Sequence, residues 1–203
     1  MKHKLLFIIL PFILSSCFIV KYDNDVQKEK PIIEVSTKPS VRMSETIVRS
    51  EIGDMIALLP EDWYFIDFEG DVNKDIYAVA TSPQYNLSLV FSKIDGNRDL
   101  INLGEEQLKK LASRVLDKRV KKSSGRVEQI GKFHQINIAQ KKFMSFDIST
   151  TGGALLTNVA VFKSELDNFY EIALIPMNIL GQSIPNEKQK NKIFNSVLAT
   201  VKY

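Results

Sequence analysis

The chain has 203 residues, with 27 Lys and Arg against 24 Asp and Glu, two histidines and a single cysteine. One cysteine excludes an internal disulfide and a multi-thiolate metal site, so the fold must rest on a hydrophobic core. A formal net charge of +3 spread over mixed-sign residues gives no electrostatic case for a nucleic-acid partner.

At the N-terminus Lys2 and Lys4 precede the apolar run Leu5 to Leu14, which ends in Ser15-Ser16-Cys17. A basic start, a short apolar run and small residues before a cut site describe a secretory signal over residues 1–16. The run is too short to cross about 30 Å of hydrocarbon. Leu14-Ser15-Ser16-Cys17 resembles the lipobox of bacterial lipoproteins, in which the signal is cleaved before the cysteine and the thiol and new amino group are acylated. That resemblance implies lipidation at Cys17 and attachment to a bacterial cell envelope through lipid. One acyl chain binds a membrane marginally, whereas several hold almost permanently. Phe18 stands where an aspartate would be associated with inner-membrane retention in enteric species, which points to the outer membrane. The plainer alternative is a secreted protein whose cysteine follows its cut site by chance. Cleavage removes Lys2 and Lys4, leaving 25 cations against 24 acids and a net charge of +1.

Residues 17–50 read as a flexible tether. Lys21 to Lys30 is polar and charged, Pro31 and Pro39 interrupt the stretch after it, and such composition buries too little to offset ordering entropy. Within it, Ile32, Ile33 and Val35 have the pattern to dock as a short strand. Residues 51–203 then form one domain, of a size that buries roughly 70% of its unfolded surface. Strands are expected at Ile52 to Leu59, ended by Pro60, at Trp63 to Phe68 and at Ile76 to Ala80. Another is expected at Leu87 to Ile94, where residues alternate between buried and exposed character. A helix follows, with Leu108, Leu111, Ala112, Val115 and Leu116 on one stripe. Glu105 and Glu106 at its start and Lys118, Arg119, Lys121 and Lys122 at its end complement the helix dipole. Strand character returns at Val127 to Ile138, with Gly131 as a turn or bulge, and at Phe143 to Ile148 and Leu155 to Phe162 around the turn Thr151-Gly152-Gly153. The strand Asn168 to Ile175 precedes a closing helix from about Glu187 to Val201.

Consecutive hairpins with helices before and after them predict an α+β fold, a mainly antiparallel β-sheet flanked by helices as an α/β/α sandwich. The order, together with Ile56-Ala57-Leu58-Leu59-Pro60-Glu61-Asp62-Trp63-Tyr64, Leu87-Ser88-Leu89-Val90-Phe91, Phe169-Tyr170-Glu171-Ile172-Ala173-Leu174 and the final helix with Ile193, Ser196 and Val197, resembles the PsbP-like group. That group takes in photosystem II extrinsic proteins and DcrB-like envelope lipoproteins. The shared motifs describe packing, and the metal-related histidines and carboxylates of photosystem members have no matching motif here. The resemblance implies a non-enzymatic binding or assembly module, and fold alone does not fix that role.

Candidate chemistry is sparse. His134 is the only histidine after the signal; no Gly-x-Ser-x-Gly elbow accompanies it, and Ser145 and Ser149 lie on strands. A solvent-facing histidine is the simpler reading. One histidine and no free thiol leave too few ligands for catalytic zinc. Asp67, Glu69, Asp71, Asn73 and Asp75 present alternate oxygens, and Asp71, Asn73 and Asp75 match the start of a calcium loop. The match fails at Ile76, where glycine is needed, and at Ser82, where a bidentate glutamate belongs. A solvated hairpin loop suffices. Thr151-Gly152-Gly153 has no following Gly-Lys-Ser/Thr and reads as a turn. The cluster Lys118, Arg119, Lys121 and Lys122, with Arg126, is a dipole complement on a solvated face, or else a surface for an acidic partner or anionic headgroups. Trp63, Tyr64, Phe65 and Phe68 read as core packing or as interface anchors.

No cofactor and no metal is called for. The expected function is a membrane-anchored envelope lipoprotein acting as a non-enzymatic module for a protein partner. The alternative is a small-ligand or lipid-binding lipoprotein with a pocket between sheet and helix, and the sequence does not separate the two.

Overall fold

Alternation along each strand decides which of two layers a side chain joins. The computed structural model describes residues 32–67, 74–95, 106–150, 155–179 and 181–203. Its elements are β1 (Ile32–Glu34), β2 (Met43–Arg49), β3 (Ile56–Pro60), β4 (Tyr64–Phe65), β5 (Ile76–Thr81), β6 (Leu87–Ile94), α1 (Gln107–Lys122), β7 (Val127–Ile138), β8 (Lys141–Thr150), β9 (Leu156–Lys163), β10 (Phe169–Pro176) and α2 (Glu187–Thr200). Eight strands form one sheet in the order β1-β7-β8-β9-β10-β6-β5-β4, and β2 and β3 pair as a separate hairpin. Every pairing is antiparallel except β1 on β7. This is the expected α+β sandwich.

In β10, Tyr170, Ile172 and Leu174 enter one core while Phe169 and Ala173 enter the other. The first core is closed by Phe194, Val197, Leu198 and Val201 of and after α2, and by Val48, Met55, Ala57 and Leu59 of the hairpin. The second is closed by Leu111, Ala112 and Val115 of α1 over Met144, Phe146 and Ile148 of β8 and Val159 and Val161 of β9. A strand that buries both faces needs apolar residues at nearly every position, and Phe169–Pro176 is buried at all but Ile175.

Both ends of α2 are satisfied. The Asn186 side chain accepts from the Gln189 amide at 3.0 Å, and Gln189 Oε1 accepts from the Asn186 amide at 3.2 Å, a reciprocal capping box. At the far end Lys141 Nζ donates to the Ala199 and Val201 carbonyls at 3.3 and 2.5 Å. Burial, with Lys202 nearby, pulls the Lys141 ammonium below its ordinary pKa. Gly131 sits at φ +75° where the β7–β8 register shifts, so the bulge expected there is present.

Asp54 fastens the hairpin to the sheet. Its carboxylate accepts from Ser50 Oγ at 2.8 Å, Ser164 Oγ at 2.6 Å, Asn168 Nδ2 at 2.9 Å and the Tyr170 hydroxyl. Burial would raise the Asp54 pKa, but the hydrogen bonds outweigh it and hold the group at about 2. Burial and the bond to Asp54 push the Tyr170 hydroxyl up to about 12. One carboxylate thus joins the β2–β3 turn, the β9–β10 turn and the β10 strand.

The boundary expected at Glu51 moves towards the N-terminus. β1 pairs with β7, β2 pairs with β3, Val48 is fully buried, and Val35 packs on the first core. The Ser40 and Val41 amides donate to Ser196 Oγ at 2.9 and 3.1 Å. The physical reason is that β3 needs an edge partner and the sheet needs cover that two helices cannot supply. The short strand expected from Ile32, Ile33 and Val35 is β1, but it spans Ile32–Glu34. Residues 50–55 turn instead of extending, the aromatic strand shrinks to Tyr64–Phe65, and Trp63 alone of the described aromatics there is buried. Glu106 is the N-cap of α1, and no acid occupies its first turn.

Asp54→Asn is expected to destabilise the protein by about 1–3 kcal/mol at neutral pH, since four donors lose a charged acceptor. The folded pKa lies below the unfolded value of 3.8, so this stabilisation is present above pH 3.8 and fades as pH falls towards 2. Denaturant titrations of both proteins at neutral pH and at pH 2–4 check this. The gap between them should narrow on acidification.

Candidate functional site

α1 packs against β7, β8 and β9, leaving the same face of β10, β6 and β5 to one side of it. A cleft of about 370 Å³ opens there. Its helix wall is Val115, Lys118, Arg119 and Lys122, spaced three and four apart and therefore on one stripe. Its floor is Val90, Ser92 and Ile94 of β6, Glu171 and Ile175 of β10, and Ile76 of β5; Val90, Ile94, Ile76 and Ile175 are only partly buried.

Glu171 is the unusual member. It lies on β10 among residues whose neighbours on both sides are core, and it is 8% exposed. A carboxylate there requires a charged partner, which Arg119 provides through a direct hydrogen-bonded ion pair. Lys118 pairs with Asp75 at 2.6 Å on the more open rim. With Lys93, Lys118, Arg119 and Lys122 against Asp75 and Glu171, the cleft carries four cations and two anions, a formal charge of +2. Partly apolar walls, an excess of positive charge and fixed polar anchors suit recognition of an acidic or amphiphilic partner.

The predicted basic cluster is therefore divided. Lys118 and Arg119 are held by ion pairs, and Lys122 lines the cleft beside them. Lys121 lines a shallow neighbouring flank with Arg114 and Asp117. Lys121 and Lys122 are exposed and make no ion pair with another described residue. Glu171 was not singled out from sequence. Its signal was a lone acid inside the otherwise apolar run Phe169–Pro176.

His134 and Ser145 face each other across β7 and β8. Ser145 Oγ donates to the Val159 carbonyl at 2.8 Å, and His134 Nδ1 lies 3.4 Å from the Lys132 carbonyl. Each is engaged with main chain and not with the other. Ser149 Oγ donates to the Thr150 carbonyl. Among the described residues no group of three metal-ligating side chains gathers. Cys17, most of the acidic stretch from Glu69 to Asn73, and the turn Thr151-Gly152-Gly153 lie outside the described residues. No described helix is long and apolar enough to cross a membrane.

No family model and no curated protein matches this chain. Among solved structures it is similar to the cyanobacterial PsbP protein CyanoP of Synechocystis sp. PCC 6803. The identity is 13% and the TM-score 0.58, over 77% of this chain and 90% of that one. Looser matches are LpqN of Mycobacterium tuberculosis, involved in cell envelope biogenesis, and the T6SS immunity protein TplEi of Pseudomonas aeruginosa. LpqN is 11% identical with a TM-score of 0.34, over 79% of this chain and 90% of that one. TplEi is 8% identical with a TM-score of 0.38, over 80% and 78%. The first likeness establishes a PsbP-like fold and nothing finer; the other two are too loose to add to it.

Breaking the buried pair tests whether the cleft is held by it. Arg119→Met is expected to cost about 3–5 kcal/mol because it strands the Glu171 carboxylate, whereas Arg119→Met with Glu171→Leu recovers most of that loss. A double-mutant cycle from denaturant unfolding gives the coupling. A near-zero value would mean that the pair does not set the cleft.

Proposed function

We propose that this protein is a lipid-anchored lipoprotein of a bacterial cell envelope, sited at the outer membrane, whose folded domain is a non-enzymatic binding module for a protein partner. The single observation carrying the binding role is the cleft beside α1, where a buried ion pair fixes the wall and uncompensated lysines remain at the rim. An acidic, partly apolar segment of a partner complements it in charge and surface. The anchor rests on the lipobox-like Leu14-Ser15-Ser16-Cys17. Tethering keeps the domain in a thin shell beside the membrane, raising its effective concentration for a neighbour there.

A second reading has its own support. The cleft lies between sheet and helix, and its volume falls within the range of small-ligand sites. An amphiphile with an anionic head would place that head near Lys122 and Lys93 and its tail on Val90, Ile94 and Ile175. Against it, the cleft is open, and its central cation and anion already satisfy one another.

Two measurements test the proposal. Mass spectrometry of the mature N-terminus should find an acylated residue 17, and Cys17→Ala should leave the signal uncleaved; an unmodified Cys17 would end the anchored reading. After mild detergent extraction, wild type should migrate in a complex larger than itself. Lys121→Glu with Lys122→Glu should return it to the free species. An unchanged complex in that variant would remove the cleft from the interface.

A further inference from the structure

A second positive surface lies on the opposite face of the sheet. The segment between β1 and β2 runs along α2, pinned where the Ser40 and Val41 amides donate to Ser196 Oγ, and a groove of about 570 Å³ separates the two. Lys188, Asn191, Lys192, Asn195 and Ser196 form its helix side at spacings of three and four, and Lys38 faces them from the segment. No carboxylate of the described residues lines it. Lys38, Lys188 and Lys192 are exposed and make no ion pair with any described residue. Glu187, the acid of α2, is taken by the buried Lys190, whose Nζ also donates to the Leu156 carbonyl.

The placement of these charges separates this surface from the end of α1. Arg119, Lys121 and Lys122 stand in the last turn of α1, where the helix dipole favours cations. Lys188 stands in the first turn of α2, where the dipole disfavours a cation, and Lys192 stands a turn further on, where the dipole gives it no support. The helix dipole, which accounts for the cations at the end of α1, therefore does not account for these lysines. A groove whose described lining has three cations, no anion and amide side chains between them is complementary to phosphodiester headgroups.

Chain connectivity indicates where such headgroups come from. Val35 follows Cys17 by eighteen residues, which extend at most about 65 Å. On the anchored reading, the groove is held within that distance of a bilayer.

We propose that the groove between the Lys38 segment and α2 binds the anionic phospholipid headgroups of the membrane that anchors the protein. The domain then rests on the bilayer through its α2 face. Because α1 covers the other face of the sheet, the cleft of Lys118, Arg119 and Lys122 is turned away from the lipid and left open to a partner. The inference rests on the anchored reading for its location, but the contact itself does not require the lipid.

The test uses the chain from residue 17 with Cys17→Ser, which carries no lipid and contains every described strand and helix. It is sedimented with phosphatidylcholine vesicles and with equimolar phosphatidylcholine–phosphatidylglycerol vesicles. Binding should appear with the anionic vesicles alone and be lost at high salt. Lys38→Gln/Lys188→Gln/Lys192→Gln should weaken it by about a hundredfold, at about fivefold per lysine. A variant losing the same charge on the α1 side, Lys109→Gln/Lys110→Gln/Lys121→Gln, should stay within about twofold of wild type, since it alters none of the three groove contacts. Equal losses in the two variants would reduce the effect to net charge and overturn the site. No sedimentation with anionic vesicles would overturn it as well. Glycerol 3-phosphate shifting groove amide resonances without vesicle binding would assign the groove to a free phosphate ester and overturn the membrane contact. As the protein tested carries no lipid, failure here leaves the acylation of residue 17 standing, and failure of acylation leaves this result standing.

Discussion

A sheet of eight strands has two apolar faces, and this chain has only two described helices to cover them. That constraint organises the molecule. On one face α2 is joined by the β2–β3 hairpin, and the two together close a continuous core from Val48 to Val201. On the other face α1 has no such helper, so it covers β7, β8 and β9 and leaves partly buried residues on β6, β5 and β10 beside it. The hairpin is fastened through Asp54, which gathers donors from two turns and from Tyr170. The cleft is thus a consequence of unequal cover.

What occupies the edge of that uncovered region sets its chemistry. Glu171 on β10 would be an isolated buried carboxylate without Arg119, so helix and sheet are joined by a pair that neither can lose alone. The ion pair on the rim, Lys118 with Asp75, is more exposed and contributes little by comparison. Ser145 Oγ and His134 Nδ1, on residues opposite one another across β7 and β8, each meet a main-chain carbonyl.

Much of the fold was legible because period-two and period-three-to-four patterns report burial directly. Leu87–Ile94 falls where the alternation placed it, Val127–Ile138 where its β-branched and aromatic residues did, and Gly131 marked the bulge. β2 was hidden because Met43–Arg49 exposes Glu45, Ile47 and Arg49, carries polar Ser44 and Thr46 beside them, and fully buries only Val48. A half-covered hairpin strand looks like linker until its partner is known. The basic end of α1 was visible, but its division into paired and unpaired cations was not. Asp75 and Glu171, which take Lys118 and Arg119, are respectively 43 and 52 residues away. The lysines of α2 were passed over for a similar reason: their common groove exists only once residues 35–41 are laid against the helix.

The two helices give the sandwich two unlike surfaces, an amphipathic cleft with a charged lock and a purely cationic groove. The claim that the cleft is the recognition surface is tested most directly by site-specific photo-cross-linking in cells, with a photoreactive side chain replacing Lys122 and, as a control, exposed Glu165 on the β9–β10 turn. The account predicts one discrete adduct from position 122 and none from position 165. No adduct from 122, or the same adducts from both positions, would contradict it.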